Sequence, residues 1–170
     1  MSESLDVFTA MSGHFARRAE YGIYYLAAKK IAEKAFKNKV DLAGNPYINH
    51  ISRVADQFDM FSPSSSVAYL HDLLEDCPRW TEERLLKTFS KEIIDSVVAL
   101  TKKKGQSYTD YIKQVCGNET AMHVKLADLK DNMNITRLRK LSDRDFERLK
   151  KYHSAYKTVS AAIKKSYKKK

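Results

Sequence analysis

Between Val67 and Cys77 the chain sets His71, Asp72, Glu75 and Asp76 into an otherwise apolar helical pattern, four ionisable groups in six residues. Residues four apart on a helix stack on one face, so a continuous helix gathers these four side chains into a single patch. Three carboxylates crowded together repel, at about 0.2–0.5 kcal/mol per like-charged pair on an exposed helix. Burial raises that cost unless a cation sits among them. The adjacent imidazole and carboxylate point to a metal held by nitrogen and oxygen ligands.

The rest of the composition favours helices around that patch. Only 5 glycines and 3 prolines interrupt 170 residues, which suits long helices better than many short strands. At 43% hydrophobic and 11% aromatic residues the chain is too apolar for disorder, and its length suits one domain with a sizeable core. No stretch approaches the roughly 20 apolar residues of a membrane span. The acidic start, Met1 to Asp6, has no signal-peptide apolar region. Cys77 and Cys116 stand alone and read as reduced small hydrophobes, so a cytoplasmic setting is expected. The net charge of +10 draws anions, nucleotides and nucleic acids among them. Five of the lysines fall between Lys164 and Lys170, which reads as a Lys-rich tail over residues 161–170 after a domain of residues 1–160.

The apolar periodicity predicts an all-α chain, a single bundle of about seven or eight helices. Tyr21, Tyr24, Tyr25, Ala28, Ile31, Ala32 and Ala35 give the segment Phe15–Lys37 an apolar face. Asn45-Pro46 reads as the cap and first position of a second helix with Ile51, Val54, Ala55 and Phe58 buried. Ser62-Pro63 repeats that signal ahead of the acidic cluster, with Val67, Leu70 and Leu74 as the core face. Ser107 and Ser142 open capping boxes, and Asn118 caps the segment through Val124, Leu126, Leu129 and Met133. The final helix begins near Asp143 and carries Phe146, Leu149, Tyr152, Tyr156, Val159 and Ile163.

Two further positions join the patch as possible ligands. His50 lies at the edge of an apolar stripe, where it can face a cleft. Asp128 stands between Ala127 and Leu129 on a core-facing helix, partly desolvated by its neighbours and in need of a partner. Asn132 is one turn further along the same face. Any one of these residues alone reads equally as an ordinary hydrogen-bonded side chain.

Together these segments resemble a known family. Gly44-Asn45-Pro46-Tyr47-Ile48-Asn49-His50, then His71-Asp72-Leu73-Leu74-Glu75-Asp76, then Lys125-Leu126-Ala127-Asp128 with Asn132, are similar to the motifs of the HD-domain hydrolases. The similarity is greatest to the RelA/SpoT-type (p)ppGpp hydrolase domain and its stand-alone small alarmone hydrolases, and runs from about residue 15 to 160. The resemblance implies an HD-domain helical bundle in which His50, His71, Asp72 and Asp128 hold one divalent metal, manganese in most of the family. It implies Glu75 and Asp76 as the catalytic pair, Asn132 near the nucleotide, and Arg148 and Tyr152 reaching the substrate from the last long helix. The family's basic cluster before the Gly-x-Pro-Tyr motif is reduced here, with Lys39 the best substitute. The run Lys102-Lys103-Lys104 reads as a clamp for a polyphosphate, Lys102 foremost, or as a solvated turn. Where the family often has an aromatic or His before the last Asn, this chain has Asp131.

The activity implied is removal of pyrophosphate from the 3′ position of ppGpp or pppGpp, with a small nucleotide as partner and neither membrane nor nucleic acid. Two alternatives remain open on sequence: an HD phosphohydrolase for another nucleotide (a deoxynucleotide or the 2′-phosphate of NADPH), or a non-catalytic module that binds nucleotides or nucleic acid.

Overall fold

The structure is a computed structural model that describes residues 2–168, with side chains from residue 12 onward. The chain forms the all-α bundle that the periodicity predicts. Its helices are α1 (Ser2–Ala35), α2 (Ile48–Ala55), α3 (Pro63–Leu70), α4 (Leu73–Asp76), α5 (Glu82–Leu86), α6 (Lys91–Leu100), α7 (Tyr108–Val115), α8 (Glu119–Asn132) and α9 (Asp143–Tyr167). A single 3-10 turn, Ile135–Arg137, lies between α8 and α9. No described helix is long and apolar enough to cross a membrane.

The centre of the bundle is α3, which packs against α1, α2, α6 and α8. All six residues from Ser65 to Leu70 are buried, so this helix has no solvent face. Its two buried serines are small enough for close approach, and Ser65 Oγ is satisfied by donating to the Ser62 carbonyl at 2.9 Å. Tyr25 on α1 meets Tyr69 edge to face at 5.5 Å between ring centres. α1 also comes close to the loop before α3. A side chain larger than glycine at position 22 would put its Cβ 3.0 Å from the Phe61 ring.

The caps follow the sequence at most helix starts. Asn118 accepts from the Ala121 amide at 2.8 Å, Ser107 from Asp110 at 3.1 Å and Thr81 from Arg84 at 3.2 Å. Ser142 and Asp145 close a full capping box. Pro63 fills the first turn of α3 behind an extended Ser62. Asn45-Pro46 does something else. Residues 40–46 form a small closed turn in which Val40 pairs with Pro46, Gly44 takes φ +81°, and Asp41 Oδ1 accepts from Ala43 and Asn45, both at 2.9 Å. α2 therefore starts two residues later than the proline suggests.

The larger difference lies at the acidic cluster. One helix does not run through it: α3 ends at Leu70, His71 and Asp72 form a turn, and α4 is a single turn beyond. Asp72 has φ −101° and ψ 0°, outside helical geometry. The break changes the register, so Leu73 is fully buried while Leu74 is only half-buried. At the other end, α9 continues to Tyr167 with Ile163 buried, so the helix carries the first seven residues of the lysine-rich stretch 161–170.

Because α3 is enclosed on every side, truncating it leaves a cavity that its neighbours cannot fill. Leu70→Ala is expected to lower stability by about 2–5 kcal/mol, read as a shift of the urea midpoint. A loss below about 0.5 kcal/mol, typical of a surface site, would contradict the central placement of α3.

Candidate metal centre

The break at His71-Asp72 sits where α2 and α8 cross the end of α3. His50 comes from α2, Asp128 from the last third of α8, and His71 and Asp72 from the break itself. His50, His71 and Asp128 are buried at 3%, 2% and 3% exposure, and one donor atom from each lies within 4.8 Å of the others. His50 Nε2 is 3.3 Å from Asp128 Oδ1, and His71 Nε2 is 3.8 Å from the same oxygen. Asp72 Oδ2 is 3.2 Å from His71 Nε2 and 3.9 Å from His50 Nε2. Donors bound to one transition-metal ion at about 2.1 Å stand roughly 3–4 Å apart, so this spacing fits two nitrogens and two oxygens around a single ion.

The hydrogen bonds around these groups orient them. His71 Nδ1 donates to the Ala68 carbonyl at 2.7 Å, which leaves its Nε2 with a lone pair. That Nε2 is buried and has no hydrogen-bond partner of adequate geometry. An orphaned imidazole nitrogen facing two carboxylates fits a metal ligand. Tyr47 donates its hydroxyl to Asp72 Oδ2. Asp128 accepts from the Asn132 amide on Oδ1 and from the Lys125 ammonium on Oδ2 at 2.8 Å.

The electrostatics follow from burial against charge. Burial alone would raise the Asp128 carboxyl, but the Lys125 ammonium, His50 and His71 hold it well below the usual carboxylate range. Burial likewise works against a charged His71, yet Asp72 and Asp128 beside it raise its pKa well above the ordinary value. His50 is raised as well, its desolvation outweighed by hydrogen bonds to Asp128 and Asp131. The pocket therefore demands positive charge, from protons or from a dication.

Two connected cavities open on the centre. The first, about 390 Å³, is walled by Asp72, Glu75, Asp76 and Asp128 on one side and by Lys102, Lys125, Lys151, Tyr108 and Tyr152 on the other. The second, about 310 Å³, shares Tyr47 and Asn132 with the first and is lined by Lys39, Arg137, Arg148, Val40, Leu42 and Leu138. Glu75 Oε1 accepts from the Lys102 backbone amide at 2.5 Å. Desolvation, with Asp72 and Asp76 nearby, raises the Glu75 carboxyl above its ordinary value against that hydrogen bond. Asp76 is ion-paired with Lys39, whose ammonium lies 4.1 Å from the centre of the Tyr47 ring. Arg148 pairs with Asp145 at the mouth of the second cavity.

Every residue singled out in the sequence thus lines the same cleft or its metal centre, but not always in the expected setting. Lys39 is engaged by Asp76, and Arg148 by Asp145. Of the three consecutive lysines only Lys102 lines the cleft; Lys103 and Lys104 are exposed on the turn beyond it. His123 packs against Tyr167, its Nε2 3.4 Å from the hydroxyl, away from the centre. Sequence reasoning missed Lys125, Tyr108 and Lys151. Lys125 was open to detection, because a lysine three residues before a buried aspartate shares its helix face.

Fold and site together define an all-α HD-type bundle with a His/Asp donor set at the bottom of a cationic cleft. No protein-family model matches the chain, and no curated protein matches it by sequence. Among solved structures it is similar to a metazoan ortholog of SpoT, described as hydrolysing ppGpp and playing a role in starvation responses. The two superpose with a TM-score of 0.62 at 18% identity, over 86% of this chain and 94% of that one. The likeness establishes the shared fold.

Removing a donor from a buried charged set should empty it. Wild-type protein dialysed against Mn²⁺ is expected to retain one ion per chain by elemental analysis, and His71→Ala or Asp128→Asn to retain almost none. Full retention in either variant would place the ion elsewhere.

Proposed function

We propose that this protein is a metal-dependent alarmone hydrolase that removes pyrophosphate from the 3′ position of ppGpp or pppGpp, leaving GDP or GTP. The observation that carries the reading is the unpartnered His71 Nε2, buried beside Asp72, Asp128 and His50 at the base of a cleft whose opposite wall is cationic. The fold shared with a ppGpp hydrolase supports it.

In this reading His50, His71, Asp72 and Asp128 hold a divalent ion, Mn²⁺ by the family resemblance. Such an ion makes water more acidic and offsets phosphate charge. Lys102, Lys125 and Lys151 attract the substrate's phosphates. Tyr108 adds a buried hydroxyl with no hydrogen-bond partner in the protein; burial pushes its phenol up to about 12, so it stays a hydrogen donor. The second cavity, with Val40, Leu42 and Leu138 between Lys39, Arg137 and Arg148, offers apolar surface to a nucleobase and cations to its phosphates.

The reaction forms a bond from water oxygen to the phosphorus on the ribose 3′ oxygen and breaks the bond to that oxygen. Glu75, held by the Lys102 amide and raised in pKa, accepts the proton from water. The Lys39–Asp76 pair stands beside it, placed to return a proton to the departing ribose oxygen. Asn132, bonded to Asp128 and shared by both cavities, keeps the nucleotide's sugar against the centre. A substrate of this kind places the protein in the cytoplasm.

The test is incubation of ppGpp and pppGpp with the protein and Mn²⁺, with products separated by chromatography. Pyrophosphate plus GDP or GTP is expected, abolished by chelator and restored by the metal. Turnover of a deoxynucleotide or of NADPH instead would move the substrate. Tight nucleotide binding without turnover would favour a binding module. Glu75→Gln is expected to keep its metal and lose about 10²- to 10⁴-fold in kcat. An unchanged rate removes Glu75 from the proton transfer.

A further inference from the structure

Asp131 is the one buried acid at this centre that does not face the cleft. It lies on α8 three residues after Asp128, 9% exposed, behind the His50 ring. Its Oδ2 is 2.7 Å from His50 Nδ1. Arg53 grips the same carboxylate with two bonds, Nε to Oδ1 at 2.7 Å and Nη2 to Oδ2 at 3.1 Å. Arg137 adds a third cationic contact, Nη2 to Oδ2 at 3.3 Å, and the same nitrogen donates to the Asp131 carbonyl at 2.7 Å. Arg137 is anchored in turn by Asp41 at 3.2 Å.

The chemistry of these partners leaves His50 one orientation. A guanidinium has only donors, and a carboxylate gripped by two of them is only an acceptor. His50 Nδ1 must then carry the hydrogen, and Nε2 keeps its lone pair. That lone pair faces Asp128 Oδ1 at 3.3 Å and Asp72 Oδ2 at 3.9 Å, inside the donor set. The two imidazoles are set by different devices. His71 uses a backbone carbonyl one turn away on its own helix. His50 has no such carbonyl on its Nδ1 and uses a side chain 81 residues distant.

We infer that Asp131, clamped by Arg53 and Arg137, is a positioning residue of the metal centre: it fixes His50 in the Nδ1–H tautomer and so delivers Nε2 to a divalent ion. The inference rests on the reading of His50 as a ligand. It makes Asp131 a functional residue although it contacts neither the ion nor the substrate.

An isosteric change tests it. In Asp131→Asn the arginines claim the amide oxygen, and the amide NH₂ group is turned toward Nδ1. His50 must then accept on Nδ1 and carry its hydrogen on Nε2, where it blocks the ion. The Mn²⁺ dissociation constant, measured by calorimetry on the full chain, is expected to rise about 10- to 100-fold. Nitrogen-15 NMR of the metal-free protein at alkaline pH should show the His50 hydrogen moving from Nδ1 to Nε2. Asp41→Asn is the control, because it loosens Arg137 without touching the imidazole. It should lower Tm yet keep the Nδ1–H tautomer and hold the dissociation constant within about threefold of wild type. Wild-type affinity in Asp131→Asn, or an unchanged tautomer, overturns the inference while leaving the metal centre intact. A wild-type chain that takes up no Mn²⁺ overturns the metal centre and the inference with it.

Discussion

Two imidazoles and two carboxylates are brought together out of water where α2, the end of α3 and α8 meet, and the surrounding structure answers to that burden. Desolvating an ion costs several kcal/mol even after the protein relaxes, and an unpaired buried charge costs more than a paired one returns. Each group is therefore held by at least one dedicated partner. Lys125 and Asn132 hold Asp128, Tyr47 holds Asp72, the Ala68 carbonyl holds His71, and Asp131 holds His50. What those partners leave over is an inward-facing set of lone pairs with His71 Nε2 unsatisfied.

The placement of that set depends on a helix that does not continue. An uninterrupted helix would carry His71 and Asp72 about 100° apart around its axis. The turn at 71–72 lets both side chains face the same point and still returns Leu73 to the core. The cost falls on a non-helical Asp72, and it is offset by the rigidity of α3, enclosed by four other helices. Beyond the break, α4 lifts Glu75 and Asp76 to the open side of the centre, where the amide of Lys102 and the ammonium of Lys39 meet them. One wall of the cleft thus handles protons, and the facing wall handles phosphate charge.

Much of this was legible in the sequence, and for a physical reason. A polar residue set into an apolar helical stripe has to be satisfied inside the protein, so His50, the 71–76 cluster and Asp128 declared themselves by position. Helix periodicity likewise carried the all-α bundle and the caps at Ser107, Asn118 and Ser142. It reports which face of a helix is buried, not which helices meet. For that reason the Asp131–His50 contact and the closing of Arg53 and Arg137 around it could not be read, and Asp131 looked only like a departure from a motif. The break at His71-Asp72 was hidden too, because nothing in Leu70-His71-Asp72-Leu73 carries a glycine or proline signal. Lys39 showed its charge in the sequence but not that Asp76 would engage it.

The account stands on one ion at one place. Crystals grown with Mn²⁺ and measured at the manganese absorption edge should show a single anomalous peak per chain, about 2.1 Å from Nε2 of both His50 and His71 and from a carboxylate oxygen of both Asp72 and Asp128. No peak among these four residues at saturating metal, or a peak that leaves His71 Nε2 unligated, would contradict it.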